Sequence, residues 1–239
     1  LKTIILLLTF LPAHAYCQDY IAGDTLYVWS NDGTILQDFK DNDSSIVWLE
    51  YGTPLTVTKN QIKDYKAILR IEEGNLDLKG SIIEVNYNGL IGYVFDGDCS
   101  HIDSRRKNKN EHSRVLINRY LGQRTSHQEV SRTIRIDGIE FEVIDEVSNY
   151  KNGKYTYTPV DGCFDHKYVL HGISFNEAYH LMIEMYSSRM ESIDGPIVEK
   201  PTFIEKSGGG YRFTGTEATG EIQIRVEEDR IEIYSYDCT

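Results

Sequence analysis

The sequence predicts a mainly β protein, a small β-barrel followed by an α+β domain in which an antiparallel sheet carries one main helix. Three observations predict it. Short runs of β-branched and aromatic residues recur between turn residues through 20–103, the spacing of a small barrel. A polar stretch over 104–113, with four basic residues and no apolar side chain, then reads as a linker. Beyond it, hairpin signals surround a single well-capped helical segment.

A length of 239 residues with 40% apolar side chains suits one or two domains with real cores and excludes wholesale disorder. The formal net charge of -12 leaves no basic footprint, so nucleic acid is excluded as a partner class. The acidity concentrates early. Residues 16–103 hold 6 basic and 15 acidic side chains, against 18 and 22 over 104–239.

Residues 1–15 read as a secretory signal peptide: Lys2, an apolar run from Thr3 to Leu11, and the small-x-small site Ala13-His14-Ala15. The run is too short to span about 30 Å of hydrocarbon, so no transmembrane segment is expected after cleavage. The expected location is periplasmic or extracellular. Tyr16 is too large for the position before a lipid-modified cysteine, so no lipid anchor is expected at Cys17. Export gives the even number of cysteines a structural meaning. Three pairings are open, and Cys17–Cys99 with Cys163–Cys238 is favoured, since each pair joins the beginning of a proposed domain (16–103 or 114–239) to its end.

In the first domain the strand runs are Leu26–Trp29, Ser45–Leu49, Pro54–Val57, Ile82–Tyr87 and Gly92–Phe95. Asn88-Gly89 supplies the positive φ angles of a tight hairpin between the last two. The run Gly33–Gln37, the Ile46–Val57 stretch with Gly52-Thr53, and the strand, Asn-Gly, strand ending from Val85 to Val94 resemble the bacterial SH3-like (SH3b) family. An insertion-like stretch from Asn60 to Gly80 lengthens the middle. The resemblance implies a small barrel that binds cell-wall peptides or glycans, or that targets an accompanying enzyme. Aromatic faces give rigid contact area, and the candidates for such a groove are Tyr27, Trp29, Trp48, Tyr51, Tyr87 and Tyr93. Tyr87 and Tyr93 flank the hairpin and are expected to form an accessible pair.

The second domain opens with a short helix at Arg114–Leu121. Asp137-Gly138 predicts a hairpin that places Arg135 opposite Glu140 and Ile134 opposite Phe141, one wet side and one buried side. Asn152-Gly153 predicts another, with Tyr150 opposite Tyr155. Ser174 and Glu177 have capping-box spacing, and Phe175, Ala178, Leu181, Met182 and Met185 then mark one apolar helix face. Strands are expected over 202–206, 211–214, 221–226 and 231–236. Ser207–Gly210 reads as a hairpin loop, since no Lys-Ser or Lys-Thr follows as in a phosphate cradle. This half resembles secreted proteins of the Bacteroidetes type, a likeness that implies no activity.

Two kinds of chemistry are weighed. SH3-like domains accompany cell-wall cysteine endopeptidases, and Cys163 lies near His166 and His171 in sequence, the pairing a hydrolase nucleophile needs. Its setting, Asp161 to Asp165, differs from the Asp-Cys-Ser-Gly of those enzymes, and a disulfide is the preferred reading. For a metal, Asp165, His166 and His171 are one group, and Glu177, His180 and Glu184 share a helical face. The second group reads as a solvated stripe. No metal and no cofactor are expected. The function expected is an exported, non-catalytic binding or scaffolding protein of the cell envelope, its partner a peptide, a cell-wall fragment or an envelope protein. The alternative is the Cys163 hydrolase.

Overall fold

The computed structural model describes residues 20–38, 44–60, 68–72, 74–103, 105, 113–136, 138–190 and 197–238. The leader 1–15, Cys17 and most of the stretch 104–113 lie outside the described residues. In chain order the strands are β1 (Thr25–Val28), β2 (Thr34–Asp38), β3 (Ser44–Leu49), β4 (Pro54–Val57), β5 (Ile68–Glu72), β6 (Leu76–Gly80), β7 (Ile82–Tyr87), β8 (Leu90–Phe95) and β9 (Cys99–Ser100). After helix α1 (Ser113–Leu121) come β10 (Arg124–Ile136), β11 (Ile139–Tyr150), β12 (Gly153–Val160) and β13 (Cys163–His171). Helix α2 (Phe175–Tyr186) precedes β14 (Ser188–Met190), β15 (Ile197–Glu199), β16 (Phe203–Ser207), β17 (Gly210–Thr214), β18 (Thr219–Val226) and β19 (Arg230–Cys238).

The protein is mostly β, but the SH3-like barrel is not there. The first sheet runs β3-β2-β8-β7-β4-β1-β9 and stays open, its two outer strands unpaired with each other. Closure requires those edges to meet. Here β9 is only two residues long and follows a 3-10 turn at Asp96–Asp98. The apolar burial that closure would provide comes from elsewhere in the chain. Trp29, Leu76, Leu78 and Phe95 join one hydrophobic cluster with Tyr168, Leu170, Leu181, Met182, Phe213 and Ile233 from the other half. The inner face of the first sheet keeps its own smaller cluster, built on Leu26, Leu36, Leu55 and Ile83.

The second sheet, β10-β11-β12-β13-β19-β18-β17-β16, is antiparallel and open as well. Strands β5 and β6, inside the insertion-like stretch, form a separate hairpin. The Asn88-Gly89 turn joins β7 to β8 with Tyr87 opposite Leu90. Arg135 faces Glu140 and Ile134 faces Phe141 as the residues dictate. The side expected to be buried there is not: Phe141 and Ile139 remain 37% and 61% exposed. Pairing of β11 with β12 ends at Glu146 opposite Tyr157, and Pro159, which has no N–H to donate, follows on β12. Beyond that point β10 and β11 continue as a two-stranded ribbon.

The second hairpin turns one residue earlier than expected. Tyr150 pairs with Gly153, so Tyr155 lies opposite Ser148 rather than Tyr150. The backbone explains the shift: a Cβ on Gly153 would stand 2.1 Å from the carbonyl oxygen of Val169, so glycine is needed inside the strand.

Helix α2 begins with the expected capping box, Ser174 and Glu177 answering each other's backbone amides. Its apolar side, Ala178, Leu181 and Met182, packs over β18 and β19. Its polar side is also covered. Glu177 and His180 are only 3% and 4% exposed, so the solvated stripe expected from the sequence is a buried contact with the first sheet.

Candidate functional site

Three polar arrangements result, and they do different things. The first is the seam beneath α2. Ser100 donates to Glu177 Oε1 at 2.5 Å, and the other carboxylate oxygen receives the Ser174 amide and hydroxyl. His180 Nε2 lies 3.0 Å from the Gly97 carbonyl oxygen and 3.6 Å from Asp98, which accepts from Thr34 at 2.7 Å. Glu184 meets the Asn31 amide. All four titratable members are therefore engaged by the protein itself, as buried polar groups must be. Glu177, His180 and Asp98 are buried, and Glu184 is half-buried at the rim.

The second surrounds the disulfide. Cys163 and Cys238 sit directly opposite on β13 and β19 and are bonded, closing a separation of 75 residues. The sulfur expected as a nucleophile in the hydrolase alternative is thus tied up. His166 does not serve it either: one ring nitrogen meets Tyr155 Oη at 2.8 Å and the other lies 3.4 Å from Asp237. His171 stands at the far end of β13, about 26 Å along the strand. Side chains alternate, so His166 points to the helix side and Asp165 and His171 to the opposite side. Those three cannot share a metal, and no metal-binding group of three occurs among the described residues. Cys99 is buried, and its expected partner Cys17 lies outside the described residues.

The third is the open face of the second sheet, away from α2. Alternating residues of β10, β11, β12, β13 and β19 line a groove of about 820 Å³. Five Lys or Arg side chains stand there against three carboxylates, an excess of cations in a chain of net charge -12. Each carboxylate is already answered. Burial opposes the charge on Asp145, but Arg132 at 2.6 Å and the Thr158 hydroxyl outweigh it and hold its carboxyl below the usual range. Tyr234 donates to Asp165 at 2.7 Å, and burial together with that carboxylate pushes the phenol up. Glu232 pairs with Lys167 at 2.9 Å. Lys151, Lys154 and His171 are the basic groups of the groove without an ion pair among the described residues. Val130, Val147 and Val169 are the aliphatic side chains of an otherwise mostly polar lining, and Val130 is the exposed one at the ribbon end.

No family model, curated protein or solved structure matches this chain. The likeness of the first half to SH3-like domains, and of the second to Bacteroidetes-type secreted proteins, finds no support there.

The six aromatic candidates are dispersed. Tyr27, Trp29 and Tyr51 pack against the shared cluster, with the Trp29 indole donating to the Ile102 carbonyl. Tyr87 leans on the inner cluster of the first sheet. Tyr93 faces the other way and donates to Glu84 at 2.9 Å, so the expected Tyr87–Tyr93 pair is split across the sheet by the period-two pleat. Trp48, on the edge strand β3, is 55% exposed. Of the groove residues, Asp165 and His171 were singled out in the sequence, for a metal or a hydrolase rather than for a groove, and the others were missed. Their signal was the polar alternation of β13 and β19, which marks a wet face without saying that it forms a groove.

Proposed function

We propose that this protein is an exported, non-catalytic binding protein of the cell envelope, and that the groove of the second sheet holds an extended ligand bearing carboxylates, a cell-wall peptide fragment. The observation that carries the reading is the cationic surplus of that groove. An acidic chain repels anionic ligands over most of its surface, so a basic face with its own carboxylates neutralised is where one can dock. Lys151, Lys154 and His171 would meet the ligand's carboxylates, and the exposed Val130 its apolar stem. The disulfide supports an oxidising compartment. No helix among the described residues is long and apolar enough to cross a membrane.

Calorimetric titration with soluble peptidoglycan peptide fragments tests this. Binding should weaken about tenfold in Lys154→Glu, as expected for reversing one charge contact, and should fall as salt rises. Absence of heat at millimolar ligand, or affinity indifferent to Lys154→Glu and Lys151→Glu together, would refute it.

A further inference from the structure

We propose that two copies of this chain pair edge to edge through β10, antiparallel about Arg132, to make one continuous sheet. The strand is 13 residues long and stands at the end of its sheet. An edge of that length is a template for another strand unless something blunts it. It has no proline and no ladder irregularity between Ser126 and Ile136. The ladder with β11 closes at Ile136 opposite Ile139, the hydrogen-bonded pair of a two-residue hairpin. Alternation from there turns the N–H and C=O groups of Glu129, Ser131, Thr133 and Arg135 outward.

The occupant follows from charge and register. A two-fold axis through the sheet keeps faces aligned, so each residue pairs with one of its own parity. Centring the axis on Arg132 sets Glu129 opposite Arg135 of the second copy and Val130 opposite Ile134, each twice. Centring it on Ser131 would set Val130 against Arg132, and centring it on Glu129 would oppose two carboxylates. The chain also has an unmet need at this position. Glu129 lies directly opposite Glu146 in the β10–β11 ladder, a like-charge pair with no ion partner among the described residues. Arg135 of the second copy would stand on the open side of Glu129. The central Arg132 side chains are each held by Asp145 of their own copy. The exposed Val130 would gain an aliphatic neighbour.

Sedimentation velocity of the disulfide-bonded protein over a concentration series reads this directly, with far-UV circular dichroism confirming the fold of each variant. The native chain should dimerise. Glu129→Arg and Arg135→Glu should each weaken the dimer about tenfold or more, and the double variant should recover it. Ser131→Pro removes an outward N–H that the single chain does not use, and should leave a folded monomer. A native chain that stays monomeric at 100 µM, as an order-of-magnitude ceiling for a specific weak dimer, would overturn the proposal. So would a dimer indifferent to Ser131→Pro, or a double charge swap that fails to restore association.

Discussion

Ser100 and Glu177 are 77 residues apart, yet the hydroxyl of one donates to the carboxylate of the other at 2.5 Å, and that carboxylate also closes the capping box of α2. One side chain thereby starts a helix and fastens it to the last strand of the first sheet. The local and long-range roles are coupled, because any rotation of Glu177 that breaks the seam also frees the helix terminus.

Glu177→Ala should destabilise the protein by about 3 kcal/mol, the sum of a lost cap and a buried hydroxyl left unanswered. Ser100→Ala alone should cost about 1–2 kcal/mol. Urea denaturation of the two single variants and the double variant gives their coupling, expected at about 1 kcal/mol or more. Simple additivity would deny the shared role.

Cleavage of the Cys163–Cys238 bridge releases a loop closed over a sequence separation of 75, so the unfolded chain gains freedom. Replacing both cysteines with alanine should lower stability by about 3 kcal/mol. Alkylation before reduction should leave both residues unlabelled, and mass mapping should recover the peptide pair linked through Cys163 and Cys238. A labelled Cys163 in the unreduced protein would reopen the hydrolase alternative.

Glu84 gives a pH dependence with a definite sign. The Lys59 ammonium and the Thr58 hydroxyl hold its carboxyl down to about 2, against 4.5 when unperturbed, with Tyr93 adding a third donor. A folded-state value below the unfolded one means that its stabilisation is complete above the unperturbed value and is lost as pH falls toward about 2. Glu84→Gln should therefore lose stability near neutrality and narrow its deficit relative to the native chain in acid. Denaturation midpoints of both proteins, taken from neutral to strongly acidic buffer, check this; parallel curves would show that Glu84 contributes no linkage.

Gly153→Ala should be more damaging than an ordinary change from glycine to alanine, because the added methyl meets the Val169 carbonyl and a Leu121 methyl at 2.1 and 2.9 Å. A loss of about 2–3 kcal/mol in thermal or chemical denaturation is expected for such overpacking. Gly138→Ala, where nothing lies within 4 Å, probes backbone conformation alone and serves as the comparison.

Much of the local architecture was legible in the residues. Asn88-Gly89, the Arg135–Glu140 register and the Ser174 capping box each follow from turn geometry, pleat alternation or helix-end chemistry, and the Cys163–Cys238 bridge belongs to the pairing favoured among the three that the cysteines left open. The turn before Gly153 was misread by one position. Glycine at 153 signals close approach of Val169, a contact with another strand that the sequence of one hairpin does not contain. Tyr87 and Tyr93 were joined by their nearness to a turn and separated by the pleat.

The amino-acid sequence by itself determined the mainly β character, the turns at Asn88-Gly89 and Asp137-Gly138 and the start of the main helix, because φ preferences, caps and alternation act within a few residues. Only the tertiary structure decided that the first sheet stays open, that Glu177 and His180 are buried, and that a basic groove lies on an acidic protein. Those outcomes depend on which apolar faces find each other across the chain. Trp29 and Phe95 pack with Phe213 and Met182 in one shared cluster, and no local rule carries information over that distance.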